Sequence, residues 1–310
     1  MILGSVLRVV LDKGSEGKRI VTVLGRLAAT VFLASLLSAC TTATSSGGKP
    51  LVLATTTIFA DMAANVGGDR AMVESIVPAG SHVEEYEPKP EDSRKVAQAS
   101  LFFENGLGLD KWAEPLLRDR KKDAPVVVLT DGLRATGNGN PHMWFDVQLA
   151  RKYVEKMRDA FIALDAAGRD VYMQNAQRYD AALIALDAEV RAQVATIPAA
   201  RRKLVTSHDA FPYFAKAYGL EVVGFAQIEP GKEPTPSELA VLVKAVKVAG
   251  VPAIFSEVGV SAGIAQALAK EAGVTKVVTD LPTDSIVAPP ADTYIGVVRT
   301  VAQKISEALR

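Results

Sequence analysis

Histidine is scarce in this chain: only His82, His142 and His208 occur in 310 residues. Each lies in a polar turn beside carboxylates, and His142 stands in the stretch Asn140-Pro141-His142-Met143-Trp144-Phe145-Asp146. A neutral imidazole serves many ends, and a lone histidine is more often a surface or satisfied core residue than a ligand. Three histidines, all in loops and all near acids, point instead to a divalent-metal binder. Imidazole suits zinc, copper, iron and nickel, while carboxylate suits manganese and magnesium. A mixed His/carboxylate set therefore selects a first-row divalent ion without naming it.

Such residues need elements to hold them, and the pattern supplies β/α alternation. Leu51-Val52-Leu53-Ala54 is a short buried strand, followed by three threonines and a helix carrying Phe59, Met62, Ala63 and Val66. Strands are expected over 72–77, 101–103 and 126–129, with a helix opened by Pro90. A helix spans 147–164. The apolar positions Tyr179, Leu183, Leu186, Val190 and Val194 then recur at helical spacing within a segment from about Asp170 to Thr196. That helix is about 40 Å long at about 1.5 Å per residue. Beyond Pro198 the alternation resumes: strands at 203–206, 220–225, 253–255 and 276–278, a capping box at Thr235-Pro236-Ser237-Glu238, and a last helix from Tyr294 to Leu309. The expected fold is α/β, with two lobes, each a mainly parallel sheet flanked by helices, joined by one long rigid helix. The lobes are residues 50–167 and 198–310, and the linking helix is 168–197. The histidine loops follow strand ends, where open α/β sheets bind ligands, and His142 and His208 fall in different lobes.

The first 40 residues are set apart. Lys18-Arg19 precede an apolar run from Ile20 to Ala39 that ends in Leu37-Ser38-Ala39-Cys40. A basic segment, an apolar segment and a small-residue junction read as a secretory signal. Cys40 is the only cysteine, so it forms no internal disulfide. The tetrapeptide resembles a bacterial lipobox, which implies cleavage before Cys40 and its lipidation; the alternative is an N-terminal transmembrane anchor. Residues 41–49 then form a flexible tether. Lys+Arg and Asp+Glu are both 35, a balance that argues against a nucleic-acid binder. Asn105-Gly106-Leu107-Gly108 lacks the third glycine of a dinucleotide fingerprint.

Several segments, in order, resemble the metal-binding lipoproteins that deliver zinc or manganese to bacterial ABC importers. They are Ile76-Val77-Pro78-Ala79-Gly80 with Tyr86-Glu87-Pro88, Asn105 to Leu109, and Pro141 to Asp146. In the second half they are Thr206 to Phe211, Phe255-Ser256-Glu257, Thr283-Asp284-Ser285 and Thr293 to Gly296. The resemblance spans nearly all of residues 50–310. It implies two α/β lobes bridged by a long helix and one Zn2+ or Mn2+ per chain. It further implies a membrane permease as partner, a lipid anchor at Cys40 facing the periplasm or cell exterior, a monomer, and no enzymatic activity. It also implies four ligand positions. His142, His208 and Asp284 match three of them, with Asp280 the alternative to Asp284. The first departs from the pattern: Glu84 stands where the family usually has histidine, and His82 lies two residues earlier. Glu257 is expected to orient the second lobe's loops, with Asp209 and Asp146 as weaker supports. The other classes to weigh are a metallo-hydrolase, which needs an open metal position and a general base, and a metal-dependent surface adhesin.

Overall fold

Two short β/α runs meet along a single helical spine. The computed structural model describes residues 48–136, 139–227, 232–258 and 262–310. The signal segment, most of the tether and Cys40 lie outside the described residues. Lys49–Arg310 form one compact unit.

The first lobe holds β1 (Leu51–Ala54), α1 (Thr57–Gly67), β2 (Met72–Ser75), α2 (Pro90–Gln98), β3 (Leu101–Glu104) and β4 (Val126–Val128). Its sheet has the order β2-β1-β3-β4, and all three pairings are parallel. Val52, Leu53, Phe102 and Phe103 are buried, on alternating faces of the sheet. Apolar residues on both faces are what a parallel sheet covered on each side requires. Thr56 caps α1 by accepting from the Phe59 N–H at 3.4 Å.

Helix α3 (Val147–Leu164) leads into α4 (Arg169–Ala195), the long helix, whose 27 residues match the expected span within a residue at either end. Tyr179, Leu183, Leu186, Val190 and Val194 are all buried. The second lobe carries β5 (Lys203–Thr206), α5 (Pro212–Tyr218), β6 (Glu221–Phe225), α6 (Pro236–Ala249), β7 (Ile254–Glu257), α7 (Ala262–Ala272), β8 (Val277–Leu281) and α8 (Tyr294–Leu309). The capping box forms as expected: Thr235 Oγ1 accepts from Glu238 N at 3.3 Å, and Glu238 Oε2 accepts from Thr235 N at 2.7 Å.

The second lobe's sheet is less regular than the first. Its described strands pair as β5-β6 and β7-β8, both parallel, with register shifts at Leu204/Val205 and Phe255/Glu257. β5 and β7 lie side by side, and the hydroxyls of Ser207 and Ser256 meet at 3.1 Å just beyond β5 and within β7. The shifts fall where the strands approach His208 and Glu257, and a shift of this kind re-aims a strand's terminal side chains.

α4 is more than a rod between two bodies. One continuous apolar cluster joins Phe59 and Tyr153 of the first lobe, Leu183 and Leu186 of α4, and Phe214, Val298 and Ile305 of the second. α8 packs on α4 and also crosses to α1. Asp61 of α1 accepts from the Tyr294 N–H at 3.0 Å, and Tyr294 donates to the Trp144 carbonyl at 2.7 Å. Among the described residues no helix is long and apolar enough to cross a membrane.

Candidate metal centre

The site lies where four loops converge between the lobes. The first is built on a buried anchor: Met143, Trp144 and Phe145 form a single 3-10 turn and are all buried. Asp146 then caps α3, accepting from Gln148 N at 2.9 Å. On the strand side, Asn105 donates to the Pro141 carbonyl at 3.0 Å and accepts from Tyr153 at 2.7 Å. The turn after β3 is fastened by Asp110, which accepts from the backbone N–H groups of Asn105 and Gly106 and from the Thr55 hydroxyl. His142 therefore projects from a segment held at both ends.

Asn140 sets the imidazole itself. Its Oδ1 accepts from the His142 backbone N–H at 3.0 Å and lies 3.1 Å from His142 Nδ1. An amide oxygen only accepts, so Nδ1 carries the proton and Nε2 is left as a lone-pair donor facing inward. The Asn140 amide nitrogen donates across to Asp209, to its backbone oxygen at 2.6 Å and its carboxylate at 3.1 Å. Tyr213 donates to the Asn140 carbonyl at 2.7 Å. Asn140 thus ties the first lobe's histidine to the segment that carries the second lobe's.

His208 sits just beyond β5, its carbonyl accepting from the Thr206 hydroxyl at 2.7 Å. Its Nδ1 lies 3.5 Å from Glu257 Oε2, and Glu257 at the end of β7 is 0% exposed. Asp284 is flanked by buried Thr283 and Ser285. Ser285 Oγ meets Thr57 Oγ1 at 3.1 Å and accepts from Gly80 N–H at 2.8 Å, while Thr57 Oγ1 also accepts from Ile286 N–H at 2.9 Å.

These loops bring three donors together. His142 Nε2 and His208 Nε2 are 3.3 Å apart. Asp284 Oδ1 is 3.5 Å from His142 Nε2, and Oδ2 is 3.5 Å from His208 Nε2. All three residues are buried, and their donor atoms lie within 4.8 Å of one another. Tetrahedral donors about 2.0–2.1 Å from an ion such as zinc stand about 3.4 Å apart, close to the separation of the two Nε2 atoms and to the distance from each of them to one Asp284 oxygen.

The electrostatics agree with an ion site. Burial alone lowers an imidazole's pKa, but the carboxylates of Asp284 and Glu257 outweigh it and push His208 up to about 10. His142 goes the other way, held well below the usual value by burial and by the adjacent His208. Burial, opposed by His208 and His82, raises the Asp284 carboxyl. Without a metal the centre thus keeps one proton on His208, shared toward the neutral Nε2 of His142. A cation bound by these nitrogens would have to displace that proton.

Glu84 and His82 are both half-buried on the loop between β2 and α2, outside the group of three. Burial and then the Asp284 charge push the Glu84 carboxyl up to about 7, with His208 opposing them. His82 lines a small cavity with Asp284. Asp280 is placed elsewhere: it is exposed and paired with Lys304, so it stands apart from the cluster that Asp284 joins. Asp209 is Asn140's partner, and Asp146 caps a helix. Asn140 and Ser285 are the supports that sequence reasoning passed over. Asn140 had a visible signal, because an Asn two residues before its target is placed for an Asx-turn. The Ser285 link across 205 positions had none.

Parallel β/α lobes on a shared long helix, with an imidazole-carboxylate cluster between them, define a class of metal-binding protein. Residues 52–308 match the family model described as zinc-uptake complex component A, periplasmic, and the chain belongs to that family. It is 34% identical over 266 residues to the manganese-binding lipoprotein MntA of Halalkalibacterium halodurans, covering 83% of this chain and 88% of that protein. The manganese ABC transporter substrate-binding lipoprotein PsaA of Streptococcus pneumoniae is 31% identical, with 94% and 99% covered. Among solved structures, a manganese-bound periplasmic metal-binding protein from Candidatus Liberibacter asiaticus superposes with a TM-score of 0.77 at 26% identity, covering 84% of this chain and all of that one. The periplasmic zinc-binding protein TroA of Treponema pallidum gives 0.78 at 28%, covering 84% and 99%.

Proposed function

We propose that the protein captures one divalent transition-metal ion, zinc or manganese, as cargo between its lobes and delivers it to the membrane permease of an ABC importer. His142, His208 and Asp284 bind the ion, and Glu84 completes the shell, with His82 as its alternative. Glu257 and Asn140 hold the two imidazoles with Nε2 turned inward. The observation that carries this reading is the buried donor cluster, in which the two Nε2 atoms are 3.3 Å apart and each lies 3.5 Å from a different oxygen of Asp284. A shell of four protein donors suits capture, whereas catalytic zinc keeps a position open for water or substrate. The protein therefore acts by binding and release, without turnover. Relatives named as ABC transporter substrate-binding lipoproteins support the importer as partner. Cys40 carries the lipid that keeps a monomeric protein at the outer side of the plasma membrane.

Elemental analysis of the purified mature protein, followed by zinc and manganese titration, tests the reading. One ion per chain is expected, with a rise in melting temperature that follows mass action. His142→Ala and His208→Ala should each abolish both; wild-type affinity in either variant would overturn the site. Cys40→Ser should move the protein from the membrane to the soluble fraction.

A further inference from the structure

The loop between β2 and α2 offers two different donors to one site. Val83 is fully buried and separates His82 from Glu84. His82 shares with Thr283, Asp284 and Ser285 the lining of a cavity of about 10 Å³, close to the room that one water-sized occupant needs. Its Nε2 is shielded from solvent and has no hydrogen-bond partner, and the same holds for Asp284 Oδ1. A buried ring nitrogen left unpaired is costly, and a cation between it and the carboxylate would satisfy both. Glu84 is half-buried two positions further along the same loop, and the charges of Asp284 and His208 both act on its carboxyl, so it and His82 are both placed to approach the site.

The loop is fastened at its ends. Gly80 N–H donates to Ser285 Oγ at 2.8 Å. Tyr86 donates to Asp92 at 2.8 Å and packs edge-on against Trp112 at 4.9 Å. Between these anchors the backbone of residues 82–85 takes part in one described backbone bond, Tyr86 N–H to the Val83 carbonyl at 3.3 Å. Few backbone bonds oppose the small adjustment of this stretch that exchanging one donor for the other requires.

We infer that this loop is a metal selector: Glu84 completes the shell around a manganese-like ion, and His82 completes it around a zinc-like ion. The chemistry follows from donor preference, since carboxylate oxygen suits manganese and imidazole nitrogen suits zinc. The inference rests on the reading of His142, His208 and Asp284 as the cargo site. A single chain then accepts both metals, each with its own fourth ligand, and His82 is the specificity-determining residue for zinc.

Competitive titrations with zinc and with manganese test it on the wild type, His82→Ala, Glu84→Ala and His142→Ala, each verified as folded by its metal-free melting curve. His82→Ala should weaken zinc binding by about tenfold or more and leave manganese within about twofold. Glu84→Ala should do the reverse. Zinc affinity unchanged in His82→Ala, or equal losses for both metals in each loop variant, would overturn the selector. His142→Ala separates the two levels. Loss of both metals there, with none in His82→Ala, defeats the selector alone; retention of both metals in His142→Ala defeats the cargo site itself.

Discussion

At His208 a proton would compete for the same nitrogen with the metal proposed to bind there. With the site empty, Asp284 and Glu257 hold the imidazole charged up to about pH 10. A native pKa raised above the ordinary imidazole value stabilises the fold fully below about pH 6.5, and that contribution is lost as pH climbs through about 10. Glu84, raised to about 7, adds a penalty that grows as pH rises from about 4.5 to 7. Both groups make the empty protein less stable with rising pH, and both make protons compete with the metal. The melting temperature of the metal-free protein should therefore fall between pH 6 and 9, while the gain on adding metal grows. Calorimetry in buffers of different ionisation enthalpy should detect proton release on binding at pH 7; an equal heat in all buffers would contradict the account. Asn140→Ala removes the acceptor that fixes His142 Nδ1, and metal affinity should fall by about 10–100-fold, the usual range for a ligand's supporting partner. His142, His208 and Asp284 were legible because each is carried in a short local motif. Asn140's turn onto His142 is local and visible in the spacing, but its bond to Asp209 and the Ser285 bond to Gly80 join positions 69 and 205 apart, and no local pattern encodes those.

Elements translate these contacts into position. Asp146 both ends the His142 turn and caps α3, so Asp146→Ala should cost about 1 kcal/mol in urea unfolding and weaken metal binding as the turn loosens. Glu104, at the end of β3, carries a carboxyl that burial and then Asp110 and Glu114 push up to about 7. Its neutral form is favoured in the fold, so its stability penalty grows from about pH 4.5 to 7. Glu104→Gln should raise the melting temperature at pH 8 and leave it nearly unchanged at pH 4. Helix positions were read closely from spacing, as with Val147–Leu164, because one buried stripe fixes the period. The strand irregularities at Leu204/Val205 and Phe255/Glu257 were not, since a shift of register depends on the partner strand and leaves the apolar run intact.

For the molecule as a whole, the shared core decides how the lobes move. Phe145 and Phe211 pack in a tilted pair across the boundary with ring centroids 4.8 Å apart, and α8 reaches back from the second lobe to α1. Opening the lobes widely would pull this cluster apart, so limited tilting and loop adjustment around α4 is the expected motion on metal binding. Radii of gyration from solution scattering should agree with and without metal; a large compaction on binding would contradict a shared core. Leu186→Ala in the centre of α4 should cost about 2–5 kcal/mol and lower the stability of both lobes in one transition. The length of α4 was evident from its periodicity, but its burial by both lobes was not, because a stripe shows that a face is covered and not by what.

Whether one ion sits between the lobes on His142, His208 and Asp284 is decided by anomalous diffraction from crystals grown with zinc, and separately with manganese. A single strong peak per chain is expected, about 2.0–2.2 Å from His142 Nε2, His208 Nε2 and an Asp284 carboxylate oxygen. A peak elsewhere, or none between the lobes, would contradict it.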